Sequence, residues 1–123
     1  MNLDTPIEKI IYMLEISRNH EGIIFGTNDI DTIIYALGIM RVVCRVFNIN
    51  FEQHHFQLIV EEHGWIYTNQ SPLQQMRERR YSYHQILNEL LNIEVETWIR
   101  SNQVPEHVVD TVRNFAKQSS SDS

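Results

Sequence analysis

Residues 29–47, with the sequence DIDTIIYALGIMRVVCRVF, are the stretch that decides the predicted fold. Asp29 offers a capping side chain to the first turn of a helix. On a helical wheel at about 100° per residue, the polar and small positions occupy a single arc. These positions are Asp31, Gly38, Arg41, Arg45 and Asn48. Because apolar side chains cover most of the remaining circumference, we predict a central helix over about residues 29–47 that the other helices surround.

Two other segments carry a strong helix-start signal, in which a hydroxyl residue is followed by proline and then by Glu or Gln. Thr5-Pro6-Ile7-Glu8 predicts a first helix that ends near residue 19. Ser71-Pro72-Leu73-Gln74 predicts a long helix that continues to about Asn102. Pro105 predicts the start of a last helix.

The segment between these helices permits two interpretations. Residues 51–63 fit a helix that Gly64 closes. The β-branched and aromatic residues between positions 56 and 68 also fit a short β-hairpin. We therefore predict an all-α fold, a compact bundle of four to five helices around the central apolar helix, with a possible short β-hairpin at 56–68. Residues 1–118 are expected to form a single helical domain, and residues 119–123 a disordered tail.

The composition indicates a globular protein in a reducing compartment. The chain has 123 residues, of which 42% are hydrophobic and 21% charged, and this balance is too apolar for a disordered protein. A single cysteine, Cys44, excludes an intrachain disulfide, which favours a cytoplasmic location. Neither a signal sequence nor a run of about 18 apolar residues is present, so no membrane association is predicted. The formal charge of −6 disfavours DNA as a partner.

Residues 77–84, with the sequence RERRYSYH, contain a pattern that could carry chemistry. Arg79 is followed by four residues and then by His84, and this spacing resembles the Arg-x4-6-His motif of HEPN-domain ribonucleases. The resemblance implies a small helical protein in which Arg and His from paired subunits act on the RNA backbone. Such an Arg stabilises developing phosphorane charge and the His moves a proton. The family often has a polar residue after the Arg and a Tyr two after the His, where this chain has Arg80 and Ile86.

Arginine and aromatic residues in the same region predict a surface that binds another protein. A guanidinium pairs well with carboxylates, and Arg is enriched at binding hot spots. Arg80 lies in the apolar seam of the predicted long helix, from where its guanidinium reaches either water or a partner. The predicted partner-binding residues are Arg77, Arg80, Tyr81, His84, Trp65 and Tyr67. For Arg41 and Arg45, the sequence favours internal ion pairs, with Asp31 or with a Glu of another helix.

Metal and nucleophile sites are not predicted. His54, His55 and His63 are close in sequence, but they lack the three- or four-residue spacing that brings two ligands to one side of a helix. We expect His63 to be a cation near a helix C-terminus. Cys44 lies in an apolar run and is expected to be a core residue. No cofactor is therefore expected.

Two hypotheses of function follow from these observations. The favoured hypothesis is a small non-enzymatic interaction module that acts as a homodimer or as an adaptor or inhibitor of a larger protein. The alternative is a metal-independent ribonuclease of the HEPN kind that uses Arg79 and His84. The sequence predicts no further convergent set of catalytic groups.

Overall fold

The computed structural model describes residues 3–68 and 71–121, which form six α-helices. The helices are α1 Pro6–Ile24, α2 Ile30–Val46, α3 Gln53–Glu62, α4 Leu73–Glu78, α5 Tyr83–Ser101 and α6 Glu106–Ser121. No β-strand occurs in these two ranges, so the all-α prediction is confirmed. The possible hairpin at 56–68 is wrong, because helix α3 covers the first half of that segment and residues 65–68 have no regular structure.

The helix count exceeds the predicted four to five because the predicted long helix is divided in two. Helix α4 ends at Glu78, and Arg80 adopts a left-handed backbone with φ of 60°. Ser82 then starts α5, since its hydroxyl accepts a hydrogen bond from the backbone N–H of Gln85 and the Gln85 side chain accepts one from the backbone N–H of Ser82. This capping box satisfies two backbone donors that would otherwise lack partners.

Helix α5 is the centre of the bundle, and the predicted central position of the 29–47 helix is wrong. Helix α5 packs against α1 and α3, and α1 packs against α6. Ten residues of α5 are buried, whereas α2 buries only Ile30, Ile33 and Leu37. The buried positions of α5 are Ile86, Leu87, Leu90, Leu91, Ile93, Glu94, Val95, Thr97, Trp98 and Ser101. An almost wholly apolar helix can therefore lie at the side of the bundle, with part of its circumference uncovered.

The first and last helices pack against each other, and the Tyr12 hydroxyl of α1 lies 2.8 Å from the Ser119 hydroxyl of α6. The hydroxyl of Thr5 accepts a hydrogen bond from the backbone N–H of Glu8, as the start signal of α1 predicted. The backbone leaves helical geometry at His20, close to the predicted end at residue 19, and α1 then continues to Ile24. Helix α6 runs to Ser121, so residues 119–121 of the predicted tail are helical, and residues 122 and 123 lie outside the described residues. Among the described helices, none combines the length and the apolar character that crossing a bilayer requires.

Candidate functional site

The candidate site is an apolar surface on the side of α2 that faces away from the core. We call it the outer stripe, and its six members are each between 48% and 75% exposed. Successive members are four, three, one and three residues apart within the helix, the spacing of one helical face. The outer stripe consists of Tyr35, Ile39, Val42, Val43, Val46 and Phe47.

Helix α2 therefore carries two apolar faces on opposite sides. Ile33 and Leu37 are buried on the inner face, and Met40 and Cys44 continue it at helical spacing, partly buried against the core. On a wheel at about 100° per residue, the centre of the inner face is roughly 145° from the centre of the outer stripe. Cys44 was expected to be a core residue and is partly buried, and this burial raises the pKa of its thiol.

The outer stripe is large for the surface of a single chain. Residues of these sizes expose roughly 150–250 Å² each when fully solvated, so the observed fractions leave roughly 700 Å² of accessible area, most of it apolar. The largest contiguous apolar patch on an ordinary monomer is about 300–600 Å². Patches beyond that size are typical of surfaces that bind another molecule.

A groove borders the outer stripe between α2 and the rest of the bundle, with a volume of ≈ 630 Å³. Leu90 and Ile93 of α5 line the groove, together with Phe56 and Tyr67. Gly38 also lines the groove, and a Cβ at that position would meet no atom within 4 Å. The groove extends the apolar surface of α2 inward toward the core.

A buried ion pair holds α2 against α5 at the groove. Glu94 is 1% exposed, and its Oε2 accepts hydrogen bonds from Arg41 Nε at 3.0 Å and from Trp98 Nε1 at 3.0 Å. Its Oε1 accepts a further bond from an Arg41 terminal nitrogen. The Arg41 guanidinium carbon also lies 4.1 Å from the ring centre of Phe51 and 4.9 Å from that of Phe56. This geometry confirms the prediction of an internal ion pair between Arg41 and a Glu of another helix.

The two ends of α2 carry opposite charge. Asp29 caps the N-terminus by accepting hydrogen bonds from the Thr32 hydroxyl and from the Thr32 backbone N–H. These bonds, the hydroxyl's above all, lower the pKa of the Asp29 carboxyl. Asp31, in the first turn, forms an exposed ion pair with Arg77 at 3.3 Å. Arg45, in the last turn, is exposed and forms no ion pair with any described residue. The predicted internal pair is therefore absent for Arg45 within residues 3–68 and 71–121.

The structure separates the predicted partner-binding residues. Trp65 is 3% exposed beneath the Arg79 guanidinium, whose carbon lies 4.3 Å from its ring centre, and Tyr81 packs edge-on against it. Trp65 is thus a core residue in this structure. Arg80 lies beyond the end of α4 and is exposed, so it does not lie in the apolar seam of one long helix as predicted. Of the six residues, Arg77 contacts α2 through Asp31, and Tyr67 lines the groove.

The two residues of the ribonuclease hypothesis lie on different elements. Arg79 is the C-terminal cap of α4 and packs over Trp65. His84 lies in the first turn of α5, is exposed and packs edge-on against Tyr83. Among the described residues, no hydrogen bond joins Arg79 to His84. The ribonuclease hypothesis stays a prediction that this geometry does not favour.

His63, the last-turn cation predicted for α3, is the centre of a surface charge network. Its Nδ1 lies 2.7 Å from Glu89 Oε1 and its Nε2 lies 3.1 Å from Glu96 Oε1. Burial opposes charge on the ring, but the hydrogen bonds and charges of these two carboxylates outweigh it and raise the pKa of His63. Arg100 beside this cluster forms a paired contact with Glu62 and lowers the pKa of that carboxyl.

The histidines lie in separate contacts. His55 lies 3.1 Å from Glu52, whereas the two ring nitrogens of His63 face separate carboxylates. His54 packs against the ring of His55. In the part of the chain that the structure describes, no group of three His, Cys, Asp or Glu side chains is placed to hold a metal ion.

Known proteins provide no family for this chain. Comparisons with protein-family models, with curated proteins and with solved structures found no match. The function has to be inferred from the residues and contacts of the chain itself. The feature that sequence reasoning missed is the outer stripe, although the spacing of Tyr35, Ile39, Val42 and Val46 was a visible signal for it.

Proposed function

We propose that this chain is a small non-enzymatic module that binds another polypeptide through the outer stripe of α2. The observation that carries the proposal is roughly 700 Å² of exposed, mostly apolar surface on one face of a helix whose other face packs into the core. Water contact with such a surface is unfavourable by about 25 cal/mol per Å², so covering it provides a driving force for association. An adaptor or inhibitor would use the surface in this way.

The surroundings of the outer stripe support binding over catalysis. The groove beside it is lined mainly by apolar side chains, and its one charged pair, Arg41 with Glu94, is already joined by two hydrogen bonds. General acid–base chemistry needs a group that is free to move a proton at a bound substrate. An apolar surface next to a concave groove is instead suited to receive the apolar side chains of a protein partner.

The partner-binding residues predicted from the sequence contribute to this proposal in part. Arg77 adjoins the N-terminal end of α2, and Tyr67 adjoins the groove. Both lie at the edge of the apolar surface, where polar groups of an interface usually occur. We therefore place the centre of the binding surface on α2 and these two residues at its rim.

Site-specific photocrosslinking tests the proposal. A photoreactive benzophenone amino acid replaces Tyr35 or Phe47 in the chain, which is expressed in its source cells and irradiated. Because both side chains lie in the outer stripe, we expect covalent adducts of defined mass with a polypeptide. The matched control position is Leu58, which is 39% exposed and lies on the opposite side of α3 from Phe56.

A second variant links any adduct to the outer stripe. Val42→Asp places a carboxylate in the middle of the stripe and should abolish the adducts, because burying an unpaired charge is strongly unfavourable. The side chain is 64% exposed, so the substitution should leave the fold intact. Adducts that form equally from the control position, or that persist with Val42→Asp, would contradict the proposal.

A further inference from the structure

We infer that the occupant of the outer stripe is a second copy of this chain, bound so that the two α2 helices run antiparallel across a twofold axis. The inference rests on the proposed function, because it names the partner of the same surface. It also gives a role to two features of α2 that no contact within the described chain explains, the unpaired Arg45 and the central Gly38.

The area of the outer stripe matches the requirement of a dimer. A stable interface buries about 800 Å² on each partner, and the outer stripe provides roughly 700 Å² of mostly apolar surface. A twofold dimer places the same patch on both sides, so one self-complementary surface completes the whole contact. Tyr35 and Phe47, at opposite ends of the stripe, supply the large aromatic side chains that are enriched at interfaces.

The charges of α2 select the antiparallel orientation. Asp31 lies beside the N-terminal end of the stripe, and Arg45, which has no ion-pair partner among the described residues, lies beside its C-terminal end. On the helical wheel, both residues fall on the same edge of the stripe. Antiparallel helices bring Asp31 of one copy toward Arg45 of the other at both ends, whereas parallel helices would oppose like charges. The helix dipoles favour the same orientation.

Gly38 lies near the middle of α2, on the same edge of the stripe as these charges. Glycine in the interior of a helix costs about 0.5–1 kcal/mol relative to alanine. Nothing within the chain requires the glycine, since a Cβ there would meet no atom within 4 Å. A second helix that approaches closely at the centre of the antiparallel pair provides such a requirement.

Sedimentation equilibrium of the purified full chain tests the inference. We expect the wild type to sediment at twice the 14.6 kDa of one chain, with a concentration dependence that defines the dimer Kd. Val42→Asp should raise that Kd roughly 100-fold or more, because the substitution buries an unpaired carboxylate of each copy within the interface. The control Leu58→Asp, on α3, should leave the Kd unchanged. Circular dichroism of each variant confirms that the fold is retained.

Charge reversal tests the orientation. Arg45→Glu and Asp31→Lys, each alone, should raise the dimer Kd roughly tenfold, because each puts like charges together at two symmetric positions. An equimolar mixture of the two variants should restore association close to that of the wild type. A parallel dimer would behave differently, since each single variant would self-associate as strongly as the wild type, and that result would overturn the inferred orientation.

The failure of this inference can be told apart from the failure of the proposed function. A wild-type chain that stays monomeric at millimolar concentration overturns the inferred dimer. If Tyr35 and Phe47 positions then crosslink to a different protein in cells, the proposed function stands with another partner. If they crosslink to no polypeptide, both fail.

Discussion

The variant Arg41→Met tests how α2 is held against the bundle. The substitution keeps an unbranched side chain of similar length but removes the guanidinium that neutralises Glu94. The Glu94 carboxylate, 1% exposed, would keep only the hydrogen bond from Trp98 Nε1 at 3.0 Å. Removing one partner of a buried ion pair lowers the free energy of unfolding by about 3–5 kcal/mol, because the remaining charge is left uncompensated inside the protein.

That cost is a large part of the total stability of a domain, which is about 5–15 kcal/mol. Urea unfolding of wild type and variant, followed by far-ultraviolet circular dichroism at a fixed protein concentration, measures the loss of stability. With a slope of about 1–3 kcal/mol per M, the midpoint of Arg41→Met should fall by about 2 M. Because few other contacts hold α2, amide hydrogen exchange in residues 30–46 should increase more than exchange in α5.

The double variant Arg41→Met/Glu94→Gln separates the uncompensated charge from the loss of packing. Glutamine is neutral, and its carbonyl can still accept the hydrogen bond of Trp98 Nε1. We expect the double variant to recover roughly half of the lost stability. A loss below about 1 kcal/mol in Arg41→Met, or a double variant no more stable than the single one, would refute the view that the buried pair anchors α2.

Three smaller predictions concern local features. Ser82→Ala removes the α5 capping box and should lower the free energy of unfolding by about 1 kcal/mol. Ser71→Ala should change it by less than about 0.5 kcal/mol, because no side chain caps α4. Urea titration of the two variants compares these changes. Gly38→Ala, in the Val42→Asp background, should raise the unfolding free energy by about 0.5–1 kcal/mol, and a decrease would contradict the open space around Gly38. Because the pKa of His63 is raised in the folded chain, its charge contributes stability that is fully present below pH 6.5 and is lost as the pH rises through the folded pKa. The difference in unfolding free energy between wild type and His63→Gln should therefore shrink over that pH rise. A difference that stays constant would disprove the charge network.

Local signals predicted the helix boundaries where the deciding groups are close in sequence. Thr5 caps α1 as predicted, and Gly64 follows α3 with φ of 87°, a backbone that glycine adopts without strain. The start of α5 was equally visible as Ser82 followed three residues later by Gln85. It was missed because the apolar pattern continued across it, and a continuous pattern was taken for a continuous helix.

The candidate site was harder to predict because it depends on which side of α2 meets the core. The sequence predicted the strongly apolar character of α2 correctly, but two opposite apolar faces are compatible with a central helix and with a peripheral helix that binds a partner. The contact of α2 with Glu94 is one of the features that distinguish the peripheral position from the central one. A charged residue on the core side of α5 looks unfavourable until Arg41, 53 residues earlier, is brought against it.

The sequence by itself determined the all-α class, the apolar character of residues 29–47 and most helix starts, because capping and helical periodicity act over three or four residues. The tertiary structure alone decided that α5 is central, that α2 is anchored at its side through Arg41 and Glu94, and that the outer stripe remains exposed. A side chain is buried only when a second surface covers it, and which distant helices pack together depends on how all of their faces fit at the same time.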